Sequence, residues 1–434
     1  MNTLTENITP KKIAEIAGKF DTPFYLYDEA TIVQKCQALQ AMPHPFGLTV
    51  RYAMKANSTQ AILQLIHKQG LRIDASSLNE VRRADLAGIP YEKIMLTTQE
   101  VPLGQARRDL EKMIQAGLKY NVCSERQLAL IANFAANKFH LSIRVHPGVG
   151  GSGGSVKTTT GDEYSCFGVH PTDLAKVATF AQKRNITFNK VHSHIGSGGD
   201  PGKWVQNIDR LLEFVIQYFP EAKIVNFGGG IKEARMPSET AADLQELGNY
   251  AKKRLLSFKE ETGRALQIEI EPGTYVMANA GFLVTTVIDK KQTGPEGYKF
   301  LVLDGGMEVN IRPSMYGSEH PFYEVSRSGE LIFSEFTSKA DLEAFCVVGK
   351  CCESGDSQSL AEGGHIVTRQ LIEPEIGDYL VIGGCGAYSP TMSPANYNSH
   401  LQVTELLMRK HKRVDIIRNK QTLIQLVQNE EPLA

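Results

Sequence analysis

Strand-length apolar runs recur through the first two thirds of the chain. They are LTVRYAMK (48–55), LRIDAS (71–76), KIMLTT (93–98), KYNVCS (119–124), LSIRVHP (141–147), FNKVHSHIG (188–196), KIVNFGGG (223–230) and LQIEIEPG (266–273). Amphipathic helix patterns lie between most of them. After Ser58, the side chains of Ile62, Leu65 and Ile66 share one helical face, and Gly70 marks a stop. Ser77 to Glu80 reads as a capping box whose helix ends near Gly88 and Pro90, and Ser124 to Gln127 repeats the signal with glutamine.

Strand and helix alternating in this way predict a parallel α/β architecture. The number of runs matches a (β/α)₈ barrel, and their span is close to the ~250 residues typical of one. A doubly wound open sheet reads the same way locally. The strand ends favour the barrel: Lys55, Asp74, Arg144, His194, Gly228–Gly230 and Glu271 all fall at or just past strand C-termini. A closed barrel gathers such ends at one mouth, whereas an open sheet strings them along an edge. After about Ala280 the texture changes. YKFLVLDGG, ELIFSEF, EAFCVVGKCC, HIVTRQLI, DYLVIGGCGAY, LQVTELLMRK and RVDIIRN follow one another without long helices, which predicts a mostly β domain. TPFYLYD (22–28) is a strand candidate that could pair with that sheet, and the glycine-rich 148–161 reads as a mobile loop over the barrel mouth.

Length and composition narrow the function classes. A chain of 434 residues implies two domains. With 47 Lys+Arg against 48 Asp+Glu there is no basic excess to invite nucleic acid or an anionic membrane. No apolar run approaches the ~20 residues that span a bilayer, and MNTLTENITPKK lacks a signal-peptide core. Seven scattered cysteines without a CxxC predict reduced thiols in a cytoplasmic protein.

Each candidate residue has a bland reading beside its chemical one. Lys55 either snorkels from its strand end or, dehydrated at a barrel mouth, offers a neutral amine to a carbonyl. Gly228–Gly230 is either a tight turn or a cradle of N–H groups for a phosphate. His192 and His194 point to one face, as metal ligands or, for an imidazole, as a plate against a flat ring. Glu271 in EIEPG could be an acid, a base, a metal ligand or the partner of a protonated ring nitrogen, with Glu269 the structural neighbour. Cys352 is a thiol acid, a nucleophile or a small buried hydrophobe.

Taken together and in order, YAMKANS, DASSLNE, HSHIGSG, NFGGG, EIEPG, IRPSMYG, CCESGD and GAYS resemble the alanine-racemase-like fold of pyridoxal-phosphate enzymes. Within that fold the chain is similar to the branch of diaminopimelate and ornithine decarboxylases, from about residue 22 to residue 398. The resemblance implies a pyridoxal 5'-phosphate-binding barrel over 38–278, with 1–37 and 279–434 forming a β-rich domain that completes the site at a dimer interface. It implies that Lys55 holds the cofactor, His194 lies on its ring, and Glu271 pairs with the ring nitrogen. Gly228, Gly229, Gly230, Ser197 and Tyr388 would hold the phosphate, and Asp74 and Arg144 would stand behind Lys55 and the ring-nitrogen side. Arg312, Tyr316 and Glu353 would grip the far end of an amino acid substrate. Cys352 would reach in from the partner of a homodimer as proton donor.

Two positions depart from the branch. EPGR is usual, and here Thr274 follows EPG; a lysine commonly precedes FG, and here Cys166 does. Threonine cannot form a bidentate ion pair with a carboxylate. The leading expectation is decarboxylation of meso-diaminopimelate to L-lysine. The alternatives are another diamino acid, a citrate-linked diamino acid, an amino acid racemase, or a non-enzymatic cofactor-binding protein.

Overall fold

The computed structural model describes residues 4–132, 140–150, 156–197, 200–337 and 341–433. The chain divides into two compact units. One comprises 33–233 and 241–276, and the other comprises 1–32, 234–240 and 277–434. Residues 234–240, inside the span expected for the barrel, thus group with the β-rich unit.

Strand β1 is Phe24–Asp28. The barrel follows as β2 Leu48–Ala53, β3 Arg72–Ala75, β4 Ile94–Thr97, β5 Lys119–Val122, β6 His140–Arg144, β7 Thr187–His192, β8 Ile224–Asn226 and β9 Gln267–Ile270. All neighbours are parallel, and β2 pairs with β9 through Leu48–Ile268 and Val50–Ile270, closing the sheet. Closure rules out the open doubly wound alternative. Each expected run produced one strand, shorter than the run, with Lys55, His194, Gly228–Gly230 and Glu271 in the turns beyond.

The helices follow the sequence signals. Gln60–Lys68 buries Ile62, Leu65 and Ile66, and Gly70 adopts φ +90°. Helix Leu78–Leu86 is capped by Ser77, whose hydroxyl accepts from the Glu80 N–H. The return bond from Glu80 goes to the N–H of Ser76, one residue before the cap, at 2.6 Å. Gln127 does the same, accepting from the N–H of Cys123 at 2.7 Å. Both loops are thereby tied down just past a barrel strand. Of the glycine-rich stretch expected over the mouth, residues 151–155 lie outside the described residues.

The β-rich unit contains β10 Gly281–Gln292, β11 Lys299–Leu303, β12 Phe322–Val325, β13 Leu331–Ser334, β14 Glu343–Val348, β15 Arg369–Leu371, β16 Tyr379–Ile382, β17 Thr404–Met408 and β18 Val414–Arg418. Its main sheet runs β13-β12-β16-β10-β1-β17-β18. TPFYLYD does join it: β1 lies between β10, antiparallel, and β17, parallel. A helix at Pro10–Ala17 buries Ile13 and Ile16 against Phe24, Leu26, Val284, Tyr323 and Leu406. Neither this helix nor β10 and β12 was among the expected elements. No helix among the described residues is long and apolar enough to cross a membrane.

Candidate active site

Alternation along a strand sends every second side chain into the barrel. Arg51, Lys190 and Glu269 therefore form one inward layer, and His192 and Glu271 the layer above. In the lower layer Glu269 Oε1 sits 2.9 Å from Arg51 Nε, pairs with Lys190 Nζ, and accepts from Asn226 Nδ2 at 2.9 Å. All three charges are buried. Burial works against the Glu269 charge, but Arg51 and Lys190 outweigh it and hold the carboxyl at about 2. Burial likewise pushes Lys190 down to about 8. Glu269 is thus the structural glutamate of the pair.

In the upper layer Glu271 is held from both sides. Oε2 accepts from His192 Nε2 at 3.0 Å, and Oε1 from Asn226 Nδ2 at 2.6 Å. Burial opposes ionisation of Glu271, yet its contact with His192 prevails and holds the carboxyl below its ordinary range. Burial pushes the His192 imidazole below its ordinary range. Asp74 goes the other way: burial first, then the charge of Glu271, raise its carboxyl well above normal, against the pull of Lys55. The two carboxyls are driven apart, one kept as an anion and the other biased towards the acid. Asp74 Oδ1 is buried without a hydrogen-bond partner.

Lys55 lies in the turn Met54–Ala56 just past β2. The expected dehydration is not found. The lysine side chain is exposed, while Ala53, Met54, Ala56, Asn57 and Ser58 are buried. Its charge acts on Asp74, Glu80 and His194. Gly273 of EPG backs this turn: a Cβ there would lie 3.1 Å from the Ala56 Cβ and 3.3 Å from the Ala53 Cβ. Arg144, at the end of β6, is buried with its guanidinium 4.9 Å above the Phe167 ring. Thr274 is half-buried at the start of a short helix, Thr274–Met277.

His194 lies two residues past β7, and its Nδ1 accepts from the Gly229 N–H at 2.9 Å. Burial, then Lys55, drives its imidazole well below the ordinary range, so the ring is neutral with its hydrogen on Nε2. The glycine loop is required to be glycine. A Cβ on Gly228, at φ +69°, would stand 2.5 Å from the Ser193 carbonyl oxygen, and one on Gly229 would stand 2.7 Å from the Glu271 carbonyl oxygen. Gly229→Ala is therefore expected to displace both His194 and Glu271 and to lower cofactor affinity, measured by titrating apoprotein with pyridoxal phosphate; unchanged affinity would refute the assignment. Ser197 is half-buried and its N–H donates to the Thr158 carbonyl at 3.1 Å.

The remaining expected residues belong to the β-rich unit. Arg312 opens the short helix Arg312–Tyr316, donates from Nη2 to Ser318 Oγ at 3.1 Å, and lies 5.7 Å from the Tyr316 ring. Its Nε is buried without a hydrogen-bond partner, and burial and then the charge of Arg235 press on its guanidinium. The loop carrying Cys352 and Glu353 is fastened by Asp356, which accepts from the N–H groups of Met307 at 2.6 Å and Cys351 at 2.7 Å. Cys352 is exposed, not a buried hydrophobe. Glu353 Oε2 accepts from Tyr397 Oη at 3.1 Å. Tyr388 adopts φ +65° beside the short helix Ser389–Met392. Among the described residues, the grouping of metal-ligand types is Glu308, Cys351 and Asp356, which contains neither histidine of the H-x-H pair.

Sequence reasoning missed Asn121, Ser142 and Asn226, which hold the upper layer, and Arg235 beside Arg312. Asn226 has a signal in hindsight, since it immediately precedes Phe227 and the glycine loop on a barrel strand. Arg235 has none.

A barrel whose mouth gathers a lysine, a glycine cradle, a flat neutral imidazole and an orphaned carboxyl oxygen suits a flat, anionic, aldehyde-bearing cofactor. The family model for the pyridoxal-binding domain of pyridoxal-dependent decarboxylases matches residues 29–278, and the chain belongs to this family. The diaminopimelate decarboxylase of Escherichia coli K12 is 31% identical over 427 residues, which cover 97% of this chain and 96% of that enzyme. A solved diaminopimelate decarboxylase structure matches with a TM-score of 0.88 and 30% identity, over 98% of this chain and 97% of that one. The Helicobacter pylori diaminopimelate decarboxylase, complexed with L-lysine, matches with a TM-score of 0.80 and 25% identity, over 96% and 98%.

Proposed function

We propose that this chain decarboxylates meso-diaminopimelate to L-lysine with pyridoxal 5'-phosphate, as a homodimer with shared active sites. The observation that carries the reading is Glu271, a buried carboxylate held ionised by two side-chain donors. When bound, the cofactor supplies an electron-accepting ring for the pair left behind by the departing carboxylate. Glu271 would pair with the ring nitrogen and favour its protonated form. Lys55 would be the amine that holds the cofactor, and its side chain is exposed to solvent. His194 would supply a flat neutral surface, and the N–H groups of Gly228–Gly230 would receive the phosphate, a role in which Ser197 and Tyr388 are the further candidates. Asp74 and Arg144 flank this set.

Cys352, exposed on its tethered loop, is the proton donor to the substrate carbon, contributed by the partner subunit. Cys352→Ala is expected to slow lysine formation about 10²–10⁴-fold. A rate near that of the parent would remove the assignment.

Arg312, with its orphaned Nε and a second guanidinium nearby, supports a substrate whose far end is anionic; Tyr316 and Glu353 complete that grip. Thr274 favours a second reading, in which the substrate is another diamino acid or a citrate conjugate, because the usual arginine is missing after EPG. Carbon dioxide release over meso-diaminopimelate, both enantiomers of lysine and ornithine, and citryl conjugates decides between them. Release from meso-diaminopimelate alone, enhanced in Thr274→Arg, is the expected result. Racemisation of substrate without gas release would overturn the decarboxylase reading.

A further inference from the structure

We infer that Asn121 and His192 are positioning residues which hold Glu271 ionised without neutralising it. The inference rests on Glu271 being the partner of the cofactor's ring nitrogen.

A chain of side-chain hydrogen bonds crosses the barrel beneath Glu271. Ser142 Oγ lies 2.8 Å from Asn121 Oδ1, Asn121 Nδ2 lies 3.0 Å from His192 Nδ1, and His192 Nε2 lies 3.0 Å from Glu271 Oε2. Asn121 Nδ2 also reaches Thr97 Oγ1 at 3.3 Å. Asn121, Ser142, His192 and Glu271 are all buried, with 5% exposure or less. Water therefore cannot substitute for a missing partner, and each bond constrains the next.

With Glu271 ionised, two proton arrangements satisfy this chain. In one, the amide nitrogen of Asn121 donates to Nδ1, so the imidazole is neutral and its single hydrogen, on Nε2, goes to Glu271. In the other, the amide is turned over, its oxygen accepts from Nδ1–H, and the imidazole is a cation. The second places a charge in a fully buried position, and burial opposes that charge more than the Glu271 carboxylate favours it, with Arg144 adding to the opposition. It would also spend the charge of Glu271 on His192 and leave little for a ring nitrogen. The first arrangement therefore holds. The other oxygen of Glu271 is served by the Asn226 amide, likewise an uncharged donor. Glu271 is oriented at both oxygens and keeps its full negative charge, as a carboxylate or carbonyl behind a histidine fixes its tautomer elsewhere.

Asn121→Asp is the informative change. A carboxylate facing Nδ1 requires a hydrogen there and turns His192 into a cation, at almost unchanged volume. The expected result is a fall in kcat of about 10–100-fold, with KM changed less. The absorption spectrum of the bound cofactor should become pH-dependent near neutrality, where that of the parent is flat. His192→Gln, which keeps a neutral N–H donor, should retain parent-like spectra and most of the turnover, whereas His192→Leu should not. Parent-like spectra and kcat in Asn121→Asp, or equal losses in the glutamine and leucine variants, would overturn the inference. A direct measurement does not depend on the kinetics. In protein labelled with 15N-histidine, the His192 signals, assigned by their loss in His192→Gln, should show an unprotonated Nδ1, and a doubly protonated ring would overturn the inference. Glu271→Gln separates the two claims: if it leaves cofactor spectrum and turnover intact, the reading of Glu271 fails, independently of the His192 tautomer.

Discussion

Lys55→Ala should abolish carbon dioxide release and, after borohydride reduction, leave no cofactor covalently attached to the chain. The side chain is exposed in the middle of a turn whose other residues are buried, so truncation removes the amine without opening the core. The thermal midpoint of the apoprotein should therefore stay close to that of the parent. Lys55→Arg sharpens the test. It keeps the positive charge felt by Asp74 and His194 but cannot lose a proton, so it cannot act as a nucleophile. Equal inactivity in both variants identifies the amine, and not its charge, as the requirement. A reducible attachment surviving in Lys55→Ala would move the cofactor anchor elsewhere.

The second large effect concerns stability. Glu269→Gln should destabilise the protein by about 3–5 kcal/mol, because Arg51 and Lys190 are then left buried without their counter-charge. Denaturant unfolding measures this. The double variant Glu269→Gln, Lys190→Met should recover part of the loss, since one of the two stranded cations is gone. The pH dependence has a definite sign. The folded-state pKa of Glu269, about 2, is depressed from the ordinary 4.5, so its stabilisation is complete above about 4.5 and is lost as pH falls through 2. The glutamine variant should lack that part of the acid sensitivity. An unfolding free energy within about 1 kcal/mol of the parent would show the trio to be energetically idle, as many ion pairs are.

The barrel was legible because its strands are buried on both faces and read as nearly unbroken apolar runs. The reactive residues stood out for the opposite reason: Lys55, Asp74 and Glu271 are charged residues at the ends of such runs. The β-rich unit was read less completely. The start of β10 is buried and its far end solvated, so no single alternation runs its length. Strand β12 is only four residues long and follows Pro321 closely. At the site, sequence named the residues expected to meet a cofactor but not those beneath them. Asn121 and Ser142 sit inside strands where they look like tolerated polar substitutions, and only the register of the adjacent strands β5, β6 and β7 brings them to His192. The exposure of Lys55 was also hidden, because it depends on where the turn after β2 points.

Strand β1 has a consequence for how the chain is made. It precedes every barrel strand in the chain, yet its partners are β10 and β17, and β17 begins at Thr404. The barrel strands, all within residues 48–270, can pair while β1 is still waiting. Until β10 is made, the apolar face of Phe24 and Leu26 has no sheet to enter, so the β-rich unit can complete its sheet only after the barrel strands are available. Deleting it would cut the finished sheet in two between β10 and β17.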